Sequence, residues 1–497
     1  MKRRVKYGIS LTATALSFCV CLIVLKAWRG PCGFDVYYYA LQTKALSLTG
    51  SLLFSDHSLV YRALYLVNLV LKNPIVSVQV LCAFSIALIC FSLMMMSFRG
   101  GASLYKSAVA LIAVFNPATF YLLLEFAKNS FAFALFFLAW LLLTDENNYL
   151  SFSVKNRPSL ARFLVGLAIL AVSVFSHRLM LALFVCFLVH GLVIFFRPRV
   201  TESKQSKKIV VICIIITTVI ITIVCFFLES MILERISIAS LFTPVHRLTQ
   251  LFSGDLLPGE RVFYITIQIA AFLLIPLAVI KDRQFFKPEL VFAAIGWLFL
   301  FPFLHFTWDG LGFRLLILAP LMLAPWLMQI RPPFPKAAAL VLAAASLYCT
   351  VESAMHLALV KGPDYRAFED TFKSIETHAG GRRIIAHRGL AGFLWYEKGI
   401  RSENFLPAGT EDRYLRLVYA FSPEILEPYV YDGESPPIAI NNTYTLIEEK
   451  IWQRFYLDWR ELYFLKSELN PYLPRPVSGF VINEDIAAAL SPVSDPP

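Results

Sequence analysis

Apolar runs of about 17 to 25 residues recur along this chain, each long enough to cross a bilayer. Lipid admits only helices and closed barrels, because no water is present to satisfy an open backbone. This feature limits the fold more than any other. Composition agrees: 58% of residues are hydrophobic and 16% charged, where a soluble domain carries about 25% charge. The reading is a polytopic α-helical membrane protein. Spans are expected at 7–27, 75–97, 102–116, 118–143, 162–176, 179–196, 208–228, 263–280, 289–304, 312–330 and 336–354, about eleven transmembrane helices. The N-terminal MKRRVK and the run Tyr7 to Val24 resemble a signal peptide, but no small-residue cleavage pattern follows. It is read as an uncleaved first span.

The net charge of +11 would suit nucleic acid if it formed one patch. Instead the basic residues sit in short loops between apolar spans, and alternate loops sort by charge. One set holds Lys2, Arg3, Arg4, Lys6, Arg99, Lys106, Lys155, Arg157, Arg162, Arg197, Arg199, Lys204, Lys207, Lys208, Lys281, Arg283, Lys287, Arg331 and Lys336. The other holds only Lys26, Arg29, Lys44, Arg62, Lys72, Arg178, Arg235, Arg247, Arg261 and Arg314. That bias places the N-terminus in the cytoplasm and, with eleven spans (about), the C-terminus outside. A short hairpin is expected at Asn116-Pro117; merging the spans on either side would turn Lys155–Arg162 and Arg197–Lys208 outward, against the bias. Nucleic acid is not an expected partner. Most of the nine cysteines fall in apolar spans and none forms a CxxC pair, so neither a disulfide framework nor a zinc site is indicated.

The first outer loop, 28–73, begins WRGPCGFDVYYYALQTKALSL. Val36, Tyr39, Ala40 and Leu46 keep helical spacing, as do Leu59, Ala63, Val67, Val70 and Leu71, with Gly50 to His57 between them. Two amphipathic helices lying on the membrane are expected. Further outer loops run over Glu229–Arg261 and His305–Arg314. The membrane part is taken as 1–360. From Lys361 the apolar runs stop, and 361–497 reads as a small extracytoplasmic α/β soluble domain: a strand at Arg383–Ala386, a helix over Gly389–Lys398 and a return toward Asn404-Phe405. A long amphipathic helix is expected within Thr443–Leu469, then a disordered tail at 491–497. No internal repeat is visible, which weighs against transporters built from duplicated halves.

Ionisable residues collect on the expected outer face. Asp35 stands first. Sugar transfer needs a carboxylate to take a proton from an acceptor hydroxyl, or to hold a metal that polarises the donor phosphate; the plainer role is to cap the helix that follows. Tyr38 lies beside it, and Asp56 and His57 follow in the same loop. Glu125 and Lys128 sit in EFAKNSFAF, Glu125 about 12 Å deep if counted from Pro117. Charges at that depth face a cavity or a partner, and their i, i+3 spacing also suits mutual pairing. His177 and Arg178 mark the apex of an outer hairpin, and His246 and Arg247 lie in the second outer loop. Arg314 opens a late span, placed to grip a phosphate at two points or to snorkel to the interface. No P-loop, GxSxG or HExxH occurs, which argues against ATP hydrolysis, serine chemistry and zinc proteolysis.

Four segments, GFDVYYYALQTKALSLTG, FNPATFYLLLEFAKNSFAFALFFL, SHRLMLAL and GFRLLILAPLMLAP, give the chain a form that resembles the GT-C superfamily of integral-membrane glycosyltransferases. The resemblance covers the architecture of the membrane part more than specific motifs. It implies a transferase that moves sugar from a polyprenyl-phosphate donor to a lipid, glycan or protein acceptor on the extracytoplasmic face. Asp35 would be the general base or a metal-site acid, with Arg314 or Lys128 near the lipid phosphate. Many members carry paired acids in the first loop; here Asp35 has no acidic neighbour until Asp56. No cofactor is therefore predicted, a divalent metal is doubtful, and base catalysis is the stronger role. The alternatives are a surface-polysaccharide polymerase or ligase, dependent on Arg178 and His246, and a transporter or flippase. The expected setting is a bacterial inner membrane or the endoplasmic reticulum.

Overall fold

The structure is a computed structural model, and it describes residues 3–26, 35–54, 56, 58–99, 101, 103–144, 157–177, 180, 183, 311–330, 334–359, 365–378, 382–386, 388–403, 414–419, 423–440, 444–462 and 483–490. The spans expected at 208–228, 263–280 and 289–304, and that at 179–196 apart from Met180 and Leu183, lie outside the described residues. So do the second outer loop, residues 305–310 of the third, and the tail. The described residues group into two compact units. One draws on Met1–Val24, Ser58–Val60 and Leu81–Val360, the other on Leu25–His57, Tyr61–Val80 and Lys361–Pro497.

Among the described residues, α1 (Arg3–Lys26) and α4 (Pro74–Ser97) are long and apolar enough to cross a membrane. In the first unit Lys6 Nζ donates to Phe98 O at 3.1 Å, and Cys90 Sγ lies 3.8 Å from Ala13 O, so the two helices run antiparallel. In the second unit Gln79 Nε2 donates to Leu25 O at 3.2 Å, which gives a buried amide a partner where water is absent.

The next stretch departs from the sequence reading. α5 (Leu104–Val114) and α6 (Pro117–Glu125) meet at a bend of 44°, not at a hairpin. Pro117 occupies the first turn of α6, where a missing N–H costs nothing. Asn116 caps it, accepting from Thr119 N at 3.1 Å and donating to Ala113 O at 2.8 Å. The sharp turn comes nine residues later. α7 (Ala127–Leu143) begins after a break at Phe126, and Ser130 Oγ donates to Leu122 O at 2.6 Å. Eight residues of continuous helix would hold that pair about 12 Å apart. The expected continuous span 118–143 is therefore broken, and Glu125 and Lys128 stand on different helices.

α8 (Arg157–Ser176) packs antiparallel to α7: Ser173 Oγ donates to Ala132 O at 2.7 Å and Arg162 Nη2 to Leu141 O at 3.0 Å. Arg99 and Arg162 both donate to Thr144 O, so two cations satisfy the carbonyl end of α7. α9 (Leu311–Leu327) and α10 (Pro335–Leu359) pack on α5 and α6; Tyr105 Oη donates to Leu327 O at 3.3 Å and Ser346 Oγ to Phe115 O at 3.2 Å.

The second unit is built on a five-stranded mixed sheet. After α11 (Tyr365–His378) come β1 (Arg383–Ile385), α12 (Arg388–Lys398), β2 (Ser402–Glu403), β3 (Tyr414–Tyr419), β4 (Ile438–Ala439) and β5 (Tyr444–Glu448), in the order β2-β1-β3-β5-β4. β1 pairs in parallel with β2 and β3; β5 pairs antiparallel with β3 and β4. The small α/β character read from the sequence is present. The helix expected from Thr443 instead starts as β5 and becomes α13 (Glu449–Leu462). Strand alternation gives the sheet two apolar faces. Leu415, Leu417 and Leu446 face α11 and α12; Val418 and Ile447 face Trp452 and Phe455 of α13. Under α13, Arg416 and Glu449 pair at 2.5 and 2.9 Å, 6% and 0% exposed.

First-loop residues join the same unit. α2 (Val36–Thr49) and α3 (Val60–Leu71) form as expected, and α2 is covered by protein over most of its length. Its residues Val36 to Leu46 are buried apart from Tyr38 and Lys44, which are half-buried. Leu41 and Ala45 cluster with Phe54, Trp395 and with Ile486, Ala487 and Leu490 of α14 (Glu484–Leu490). α3 does keep an open apolar face: Leu66, Leu69 and Val70 are 63%, 54% and 80% exposed, while Val60, Tyr61 and Leu64 are buried.

Candidate functional site

Asp35 ends the segment before α2 and occupies its N-cap position, with φ −89° and ψ −6°. Its backbone carbonyl accepts Tyr39 N–H at 3.1 Å. Its carboxylate makes no capping hydrogen bond to the helix, so the plain capping role does not describe this acid. One turn on, Tyr38 stacks on Phe54 with centroids 5.3 Å apart and meets Tyr39 edge-on at 5.5 Å.

Burial pushes the Tyr38 hydroxyl up to about 12; the polar ends of Tyr61 and Gln42 act the other way, and the negative charges of Asp56 and Asp35 add to the rise. Both acids thus lie within electrostatic reach of one phenol. Tyr61 Oη donates to Asp56 Oδ2 at 3.1 Å. Burial also raises the Tyr61 hydroxyl, with Tyr38, Tyr39 and Asp56 adding to it. At neutral pH both phenols are therefore un-ionised, and Tyr61 is a donor to the Asp56 carboxylate.

A buried amide holds this arrangement. Gln42 Nε2 donates to Phe54 O and Phe54 N donates to Gln42 Oε1, each at 3.1 Å. The pair copies a strand bridge and clamps the turn that carries Phe54 and Asp56 onto α2. Asn483 N donates to Leu53 O at 2.9 Å, which ties the same turn to the start of α14. Asn68 joins the other side, donating to Ser47 Oγ at 3.0 Å and accepting from Ser77 Oγ at 3.3 Å. Gln42 and Asn68 interrupt the apolar pattern of their helices, and that interruption is the signal that could have marked them. Tyr61 carries no such signal; only its place in space reveals it.

The first unit holds a second group. Lys128 is half-buried in the opening turn of α7, which starts at Phe126 without a side-chain cap. A cation there opposes the helix dipole, whereas the turn as a whole suits an anion. His177 follows the last residue of α8; its N–H donates to Ser173 O at 3.2 Å. Lys128 lies four residues before Ala132 and His177 four after Ser173, the bonded pair, so both stand at the same end of the α7–α8 hairpin. Ser58 Oγ donates to Ser176 O at 2.6 Å at that end.

His57, Arg178, His246 and Arg247 lie outside the described residues. For Glu125 and Arg314 the backbone is described, at the end of α6 and in the first turn of α9, and the side chains are not. Among the described residues no group of three or more His, Cys, Asp or Glu side chains is placed to hold a metal ion. The tyrosine and carboxylate cluster can take a proton from a hydroxyl and donate hydrogen bonds to a polar substrate.

No protein-family model and no curated protein matches this sequence. Among solved structures the chain is similar to the archaeal oligosaccharyltransferase AglB from Archaeoglobus fulgidus, determined with an inhibitory peptide and a dolichol-phosphate. The TM-score is 0.47 and the identity 12%, over 78% of this chain and 59% of that one.

Proposed function

We propose that this protein is a membrane glycosyltransferase that moves a sugar from a polyprenyl-phosphate donor to an acceptor on the extracytoplasmic face. Asp35 is the general base that takes the proton of the acceptor hydroxyl as the sugar–phosphate bond breaks. The observation that carries this reading is the state of Asp35: a half-buried carboxylate that does not cap its helix and shares one buried phenol with Asp56. An acid kept only for helix stability would accept from α2 N–H groups.

Tyr38 and Tyr61 hold hydrogen-bond donors around the reacting hydroxyl, and Asp56 orients the second of them. Lys128 and Arg314 take the lipid phosphate, and the leaving group is a polyprenyl phosphate. Glu125, His57, His177, Arg178, His246 and Arg247 complete the substrate-binding set.

The test is reconstitution of the full chain in lipid vesicles with polyprenyl phosphates carrying radiolabelled hexoses, pentoses or aminosugars. Release of polyprenyl phosphate, or of label to an acceptor, is the expected result. A folded protein that leaves every such donor intact contradicts the proposal.

A further inference from the structure

We infer that Gly392, within α12, is a positioning residue for Asp35, because the space it leaves fixes the first turn of α2; the inference rests on the reading of Asp35 as the base. Glycine is disfavoured inside a helix, and Gly392 lies in the interior of an eleven-residue one, Arg388–Lys398. Space explains it. A Cβ built at Gly392 would lie 2.5 Å from Tyr37 Cβ, nearer than carbon atoms approach.

Tyr37 is two residues past Asp35 and 2% exposed. Its ring meets Phe393 edge-on at 6.0 Å and Tyr396 at 5.9 Å. Two turns further along α2, the Lys44 ammonium lies 5.2 Å from the Tyr396 ring centre. On the same helix Leu41 and Ala45 pack with Trp395. α12 therefore grips α2 at its first turn and again near its end. Asp35 is the N-cap of α2 and its carbonyl accepts Tyr39 N–H at 3.1 Å, so its backbone position follows from where that first turn sits. The C-terminal segment sets the placement of a group it does not itself contain.

The experiment uses full-length protein in lipid nanodiscs, with Gly392→Ala and the larger Gly392→Val. Gly166→Ala is the control, a helical glycine whose added Cβ would meet Leu143 at 2.9 Å in the other unit. Amide exchange is followed by mass spectrometry, and transfer kinetics are measured on the same samples. The expectation for Gly392→Ala is exchange over Val36–Leu46 faster by about tenfold, with α7 and α8 unchanged. Transfer should lose about tenfold or more in kcat with donor KM within about twofold, because a misplaced base affects the transition state and not donor binding. Gly392→Val should exceed both effects. Unchanged exchange in α2 with both variants overturns the inference, as does an acceleration shared by every helix or reproduced in α2 by Gly166→Ala. An Asp35→Asn chain that still transfers sugar overturns the base assignment, and the exchange result then judges the Gly392 contact alone.

Discussion

At the scale of single residues, the first-loop cluster joins two acids and two phenols that the sequence separates. Sequence reasoning reached Asp35 and Tyr38 from their place after an apolar span, and Asp56 as a distant second acid. It did not reach Tyr61 or the clamp made by Gln42, because a hydrogen bond between a loop backbone and a helix side chain leaves no spacing to read. The shared phenol gives a titration with a defined sign. Burial first, and the Asp56 charge in addition, hold the Tyr38 proton on, so Asp56→Asn should lower the Tyr38 titration from about 12, read by the absorbance of the phenolate or by NMR of ring-labelled tyrosine. The folded value lies above the ordinary 10.0. The stabilisation is therefore full below pH 10 (about) and is lost as pH rises through about 12, a change on the order of 3 kcal/mol. Alkaline unfolding curves for the native chain and for Tyr38→Phe should diverge only in that window.

At the scale of elements, two features separate what a pattern can reveal from what it cannot. The strand at Arg383 and the helix after it were legible, since a short apolar run and a helical stretch sit side by side in the chain. The break at Phe126 was not, because no proline or glycine marks it; the proline nine residues earlier misdirects, being harmless in a first turn. Glu125 and Lys128, charges inside an apolar run, were its only trace. Asn116→Ala should remove the cap and cost about 1 kcal/mol in thermal or denaturant stability. α3 has the amphipathic pattern read from the sequence, while α2 is covered by protein on most sides, and the partners Trp395, Ile486, Ala487 and Leu490 that help cover it lie more than 300 positions away in number. Nitroxide labels at Leu66 and Val70 should therefore be relaxed by a lipid-soluble quencher more than by an aqueous one. A label at Leu48, on the exposed end of α2, should show the reverse. The buried Arg416–Glu449 pair makes a further test. Arg416→Met strands a carboxylate and should cost about 3 to 5 kcal/mol, whereas Arg416→Met with Glu449→Met should recover most of it. Loss of far-ultraviolet ellipticity with denaturant measures both.

At the scale of the whole molecule, the apolar runs and the sorting of basic residues define a membrane protein with an expected cytoplasmic N-terminus, and long helices at Arg4–Lys26 and Pro74–Ser97 agree with that reading. Composition also separates the C-terminal segment from the spans. What composition does not contain is that first-loop residues share a compact unit with that segment. Their association depends on shape, above all on Gly392 and the small residues Ala45 and Ala487, and shape has no periodicity. The proposed chemistry depends on that unit, because it holds the carboxylate on which the transfer turns. The most direct measurement is single-turnover transfer from a labelled polyprenyl-phosphate sugar by the native chain, Asp35→Asn and Asp35→Glu, each in vesicles and each shown to be folded by its melting temperature. Loss of about 100-fold to 10,000-fold with Asn, and a partial return with Glu, is the predicted result for a general base. Native rates with Asp35→Asn in a folded protein would contradict it.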